Sequence, residues 1–529
     1  MVSTLSDDDH SKVATLNSEG NTLFKNADYV AAAAKYTAAL DIDQKNAILF
    51  SNRAACWLSL NLYLDALSDA TKATELDSSF VKALGRLARA LDALGRPFQS
   101  ALSWEQALNR LPRKSLRLPE RTQLYEYKKG LAAAKHEQLR QQKALQMSVK
   151  QNMVRKSEDK GLPWMIAKGL IPLLVARGDY TSCAWTLNKA YDDLCEGMRH
   201  LASTADRSTQ AASPRVLELF SSSVLLDYRA WHFRNSDYLQ QFDRKAIQET
   251  KFYGAFAPKY GLEGIKRIVN ARLESAKPEG EVKYKKEWEA LQLSLTATVR
   301  YWIMEGFHQG TLYQNPAVGA DYLDQAIALI KWVRLQIHGD DLLNVVNGTI
   351  FEETYLKGVQ ALRLHFLIEK FHDLDPRTQQ AMYEEAEGIA NETISFQTLR
   401  NSDTVFTAST WYTARGYALT IKALYYQTRG LYAFAGLSYK LSAECFAEDD
   451  GKYIVALLRC IKSTEYIRSP SVDIQNEALE KIRKAIPKLK YVWKARKEVD
   501  DIDKTITEAL QWEETLKGRL KTNYYDQFY

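Results

Sequence analysis

The chain has 529 residues, too many for a single compact core, so it holds two or more domains or one extended solenoid. An apolar fraction of 46% and an aromatic fraction of 11% exclude a disordered chain, and 71 basic against 65 acidic residues, a net charge of +6, neither demand nor exclude nucleic acid. Low Gly and Pro with abundant Ala, Leu, Lys and Glu, and few alternating apolar runs, predict an all-α protein.

Residues 1–12, with the acidic stretch Ser6-Asp7-Asp8-Asp9, are expected to form a disordered lead or a helix cap, and they carry neither a signal nor a transit pattern. From residue 13 to residue 114 the sequence repeats with a period of 34, in segments starting at Val13, Ala47 and Val81. A small residue recurs at the eighth position (Gly20, Ala54, Ala88) and at the twenty-seventh (Ala39, Ala73, Ala107), where two helices must approach closely. Leu16, Phe50 and Leu84 share the fourth position, Tyr36 and Trp104 the twenty-fourth, and Pro112 closes the third unit. Each unit is predicted to be a helical hairpin whose first helix lines a concave groove.

Five polar side chains fall on those first helices. Asn17 and Asn21 are four apart in the first unit, Asn52 stands in the second, and Lys82 and Arg86 are four apart in the third. Cations with amide donors at this spacing can bind two carboxylates by charge-assisted hydrogen bonds, roughly 1.5–3 kcal/mol each when sheltered. A chain ending in Asp offers such a pair. Taken singly, an Asn after Gly serves hairpin packing, and Lys or Arg on a helix is a solvated face; the joint register favours a binding site.

The three units resemble the tetratricopeptide repeat, and Gly20-Asn21, Ser51-Asn52-Arg53 and Lys82 with Arg86 resemble its carboxylate-clamp subclass. The resemblance covers about a fifth of the chain. It implies a superhelix whose groove binds the C-terminal Glu-Glu-Val-Asp tails of the seventy- and ninety-kilodalton heat-shock chaperones, and hence a co-chaperone. Where the family's clamp has its first lysine, one turn before the Gly-Asn pair, this chain has Asn17, which donates a hydrogen bond but brings no charge. Lys25, one turn after Asn21, is the cation placed to compensate.

Residues 115–160 read as a capping helix and linker with a thin apolar stripe of Tyr125, Tyr127, Leu131, Leu139 and Leu145. Lys150, Arg155 and Lys156 read as a solvated face in preference to a nucleic-acid contact. Gly161-Leu162-Pro163 breaks the helical pattern and marks the expected main boundary. Residues 161–529 are expected to form a larger helical, repeat-like domain, divided near residue 280. Segments near Trp288 to Gly306, Ala320 to Ile337, Phe351 to Phe371, Phe406 to Thr428 and Tyr432 to Phe446 carry apolar residues three and four apart. Tyr301, Trp302, Trp332, Trp411, Tyr412, Tyr425 and Tyr426 are assigned to core in preference to a peptide groove. The charged block from Lys481 through Lys497 to Asp503 reads as a solvated helix beside a turn, with an RNA or acidic-lipid surface as the alternative. The terminal Tyr524 to Tyr529 segment reads as a docking or recognition tail.

Signs of catalysis are missing: the eight histidines are scattered, and no metal-ligand pairing, phosphate loop or nucleophile elbow appears, so no cofactor and no metal are expected. Asp227 to Arg234 looks like a single copy of the Tyr-x-x-Trp-x-x-Arg core of prenyltransferase α-subunit repeats, with Tyr228 and Trp231 better read as helix core. The longest aliphatic run, Leu170 to Ala176, is far short of the roughly 20 residues that span a bilayer. Cys56, Cys183, Cys195, Cys445 and Cys460 are scattered, which fits a reducing compartment: the cytoplasm, with the nucleus also open. The expected function is a non-enzymatic adaptor that holds a chaperone's acidic tail in the groove and tethers an unknown client through its C-terminal domain. The alternatives are a structural scaffold subunit of a larger assembly and an enzyme subunit resembling a prenyltransferase α-subunit.

Overall fold

The computed structural model describes residues 6–111, 118–154, 161–202, 215–233, 237–256, 259–336, 349–392, 402–467, 472–493 and parts of 504–514. Pro112, Arg155, Lys156, the loop 203–214, Arg234, the charged stretch 494–503 and the Tyr524 to Tyr529 tail lie outside these residues. Among the described residues there is no strand, only an isolated bridge between Met153 and Phe233, and the fold is all-α. The described residues of 1–148 and 250–348 gather into one compact unit, and those of 149–249 and 349–529 into another.

The first unit opens with six helices: α1 (Asp7–Lys25), α2 (Tyr29–Ile42), α3 (Ala47–Ser59), α4 (Tyr63–Leu76), α5 (Val81–Ala93) and α6 (Pro97–Arg110). They pair as three consecutive hairpins. Helix α1 starts inside the expected lead because Ser6 and Asp9 close a capping box, each accepting the other's backbone N–H at 3.2 Å. The small residues of the 34-residue ladder sit at the tight crossings. A Cβ on Gly20 would come within 2.7 Å of the Tyr36 ring, and Ala54, Ala88, Ala39, Ala73 and Ala107 are fully buried. The hairpin turns repeat as strictly as the helices: Ala27, Asn61 and Gly95, each 34 residues apart, adopt left-handed backbone at φ of 60°, 59° and 67°.

Helix α7 (Leu118–Asn152) covers the open side of the third hairpin. Tyr127 lies over Gly85, where a Cβ would meet its hydroxyl at 2.5 Å, and Gly130 lies against the Trp104 ring. The chain then continues through α8 (Pro163–Arg177), α9 (Ala184–Ala202), α10 (Val216–Asp227) and α11 (Tyr238–Phe252). It rejoins the first unit with α12 (Leu262–Ala276), α13 (Glu281–Phe307) and α14 (Pro316–Gln336). Asp65 of α4 caps α12, accepting from the backbone N–H groups of Glu263 at 3.2 Å and Gly264 at 2.9 Å. The third hairpin turn is held in the same way: the Gly95 carbonyl accepts from Gln141 Nε2 at 3.0 Å and from Gln309 Nε2 at 3.3 Å, the latter in a π-helical turn, His308–Leu312.

In the second unit α15 (Glu353–Ile368), α16 (Pro376–Asn391), α17 (Ser402–Thr428), α18 (Tyr432–Ala443), α19 (Gly451–Glu465) and α20 (Val472–Val492) form an array: α15 and α16 pack on α17, and each later helix packs on its predecessor. Its core includes Trp164, Leu187, Leu457, Ile461 and Trp493. Arg229 is clamped between Asp227 and Asp450 at 2.7–2.9 Å and lies over the Trp493 ring at 4.5 Å. Tyr228 stacks on His365 at 4.7 Å and Trp231 packs edge-on against Phe220, so both serve the core, although Tyr228 opens a short 3-10 turn rather than standing within an α-helix. Trp302 is fully buried and Tyr425 stacks on Tyr383, whereas Tyr412 remains exposed. On α20 the basic residues Lys481, Lys484 and Lys488 pair with Glu477, Glu480 and Glu448, a neutralised face rather than a basic one.

Candidate functional site

The groove side of α1, α3 and α5 brings together the residues that the repeat register aligned. Asn17 and Asn21 project from α1, Ser51 and Asn52 from α3, and Lys82 and Arg86 from α5. Asn52 Nδ2 donates to Asn17 Oδ1 at 3.3 Å and reaches Asn21 Oδ1 at 3.5 Å. Tyr36 OH donates to Asn21 Oδ1 at 2.8 Å. Arg86 Nη1 donates to Ser51 Oγ and, at 3.4 Å, to Asn52 Oδ1. Four of the five expected residues thus form one connected network. Lys82 stands exposed one turn away on α5, and Lys25 is exposed at the end of α1.

The hydrogen-bond inventory of this network is lopsided. The amide oxygens of Asn17, Asn21 and Asn52 all accept from within the groove, as does the Ser51 hydroxyl. The Nδ2 groups of Asn17 and Asn21 find no partner among the described residues, nor does the Lys82 ammonium. Each is a donor without an acceptor capacity of its own. Arg86 is mostly buried and touches only neutral partners; burial is the first cause pushing its guanidinium below the ordinary value. A sheltered cation without a carboxylate is costly unless an anion arrives.

Arg53, one residue after Asn52, is used differently. It is buried and forms a bidentate pair with Asp69 at 2.7 and 2.8 Å, with Nη1 donating to Thr37 Oγ1 and Trp57 Nε1 donating to the same Asp69 at 2.9 Å. It therefore staples α3 to α4 and is not a groove cation. Cys56 is buried beneath the groove, its thiol pushed up to about 12 by burial, which makes it a packing residue.

Elsewhere, half-buried His365 stacks on Tyr228 and lies tilted against Tyr417, and burial holds it down at about 3. The second unit contains a cleft of about 360 Å³ lined by the apolar Leu219, Leu225, Leu226 and Phe406 and the charged Lys189, Asp193, Arg215 and Glu218, among others. Among the described residues no helix is long and apolar enough to cross a membrane.

No protein-family profile matches the chain. It is 41% identical over 93 residues to the heat shock protein sti1 homolog of Schizosaccharomyces pombe, covering 18% of this chain and 16% of that protein. It is 32% identical over 132 residues to the small glutamine-rich tetratricopeptide repeat-containing protein 2 of Mycosarcoma maydis, covering 25% and 35%. The chain therefore spans only a minor part of the length of these relatives. Among solved structures, the first tetratricopeptide repeat domain of Spaghetti (RPAP3), bound to an HSP90 peptide, aligns at 30% identity over 23% of this chain and 94% of that one, with a TM-score of 0.21. The 34-residue register, the three hairpins with their buried small residues, and the sequence matches agree that the N-terminal part of this chain is a tetratricopeptide repeat domain.

Proposed function

We propose that the groove of the repeats binds the acidic C-terminal tail of a heat-shock chaperone through its carboxylates, and that the chain is a non-enzymatic adaptor. One observation carries this reading: each amide oxygen of the groove already accepts from a neighbour, whereas the N–H donors of Asn17 and Asn21 and two cations without a carboxylate partner are left for a ligand. The ligand complementary to such a surface is rich in acceptors and negative, and a C-terminal Asp supplies two carboxylates on one residue. Asn17, Asn21 and Asn52 act as amide donors once the tail displaces their mutual contacts, and Lys82 and Arg86 act as ionic anchors. The similarity to a protein named as a heat shock protein supports a chaperone as the source of the tail. The cleft of the second unit, with its apolar and charged lining, is the candidate contact for a client. Tethering raises the effective concentration of one partner near the other without chemistry.

The test is fluorescence anisotropy of a labelled peptide ending in Glu-Glu-Val-Asp against the full chain and its Arg86→Ala variant. Binding in the micromolar range is expected for so small a ligand, with a loss of about tenfold or more in the variant. Equal affinities for the two proteins would remove the ionic anchor and leave a permanently packed scaffold surface as the better reading.

A further inference from the structure

The polar stripe of α5 does not end at Arg86. Arg89 follows three residues later and seven after Lys82, so at about 100° per residue the three cations lie within roughly 60° of one another around the helix. Arg89 is exposed and makes no ion pair or hydrogen bond among the described residues. The one carboxylate on α5, Asp92, stands at the right spacing to neutralise it but is turned inward, where it accepts from Trp104 Nε1 at 3.0 Å. Arg86 and Arg89 are close enough for the second charge to add to the burial that already disfavours the first. Like charges one turn apart destabilise a helix. On other helices Lys72, Lys189, Lys266 and Lys484 each meet a carboxylate three or four residues away, a partner that Arg89 lacks. Three aligned cations without a counter-charge therefore extend the donor surface beyond the reach of a single C-terminal residue, since Arg89 sits about 4.5 Å further along the helix than Arg86.

Resting on the reading that the groove holds an acidic C-terminal peptide, we propose that Arg89 is a specificity-determining residue that takes a side-chain carboxylate upstream of the peptide's last residue. The groove then discriminates among tails that share a terminal Asp and favours those with an acidic residue within about three positions before it. An extended peptide rises about 3.3 Å per residue, and the arginine side chain is long enough to follow it over that span.

The experiment is a double-mutant cycle by calorimetry on the full chain. Wild type and Arg89→Gln are each titrated with a peptide ending in Glu-Glu-Val-Asp and with its Gln-Gln-Val-Asp counterpart, with Arg86→Ala as the control for the terminal-carboxylate site. The expected result is that Arg89→Gln weakens the Glu-Glu peptide by about 2- to 10-fold and the Gln-Gln peptide by less than twofold. Equal losses on both peptides, or no loss on either, would overturn the role of Arg89 while leaving the parent reading intact, provided Arg86→Ala still weakens both. Failure of both peptides to bind the wild type would overturn the parent reading and this inference with it.

Discussion

Chemically identical side chains on the first helices of successive repeats, Arg53 on α3 and Arg86 on α5, have opposite fates. Arg53 is spent on Asp69 and holds a hairpin shut, whereas Arg86 is sheltered beside neutral partners and can only be neutralised from outside. The linear pattern singled out five polar positions, Arg86 among them and Arg53 not, but it did not reveal that Arg53 is buried against Asp69, because that depends on which helix face it meets. Nor could it show that each amide oxygen of the groove already accepts from a neighbour, which depends on amide orientations fixed by Tyr36 and Asn52. Asp65 was equally illegible. In sequence it is an ordinary helix carboxylate; in the fold it is buried, and burial raises it to about 6 even though two backbone N–H groups of α12 pull the other way. A carboxyl held above its ordinary value binds its proton more tightly in the folded state. Its contribution to stability therefore rises as pH falls from about 6 towards 3.8 and is smallest above pH 6. Urea unfolding of wild type and Asp65→Asn at pH 7 and pH 4 should show the wild type gaining on the variant at the lower pH, by on the order of 2 kcal/mol. Parallel pH dependences would refute the assignment.

Among the helices, those of the repeat were legible because the same spacing of small and bulky residues recurs three times. Their turns were not, since Ala27 carries no turn signal, and its left-handed backbone emerges only when it is aligned with Asn61 and Gly95. An alanine there bears a steric cost that glycine lacks, while Tyr63 OH donates to the Asn61 side chain in the second turn. Ala27→Gly should therefore stabilise the first hairpin by about 0.5–1 kcal/mol, read as a shift in thermal midpoint without change in the circular dichroism of the native state. Destabilisation would mean that the turn holds no strain. In the second unit α16 and α19 were missed as separate segments although each begins with a readable cap, Asp375 before Pro376 and Asp450 before Gly451. The return of α12 to the repeats was hidden because periodicity describes a helix's own faces and not which distant helix will cover them.

At the scale of the molecule, the proposed tail-binding groove in one unit and the cleft in the other would give a single chain two separate means of holding partners. An adaptor of the proposed kind would act by proximity, with its effect on a client set by the occupancy of the groove. In the proposed complex the absence of charge at Asn17 would leave the amide donors, rather than a third ion pair, to orient the peptide terminus. The claim on which the whole account depends is that the groove recognises a free chain end. Calorimetric titration of the full chain with a peptide ending in Glu-Glu-Val-Asp, beside the same peptide amidated at its C-terminus, tests it most directly. The account predicts micromolar binding of the free acid and a loss of at least about tenfold on amidation, because one of the two carboxylates that the donors require has been replaced by a group that is neutral and itself a donor. Equal affinity for the two peptides would contradict it.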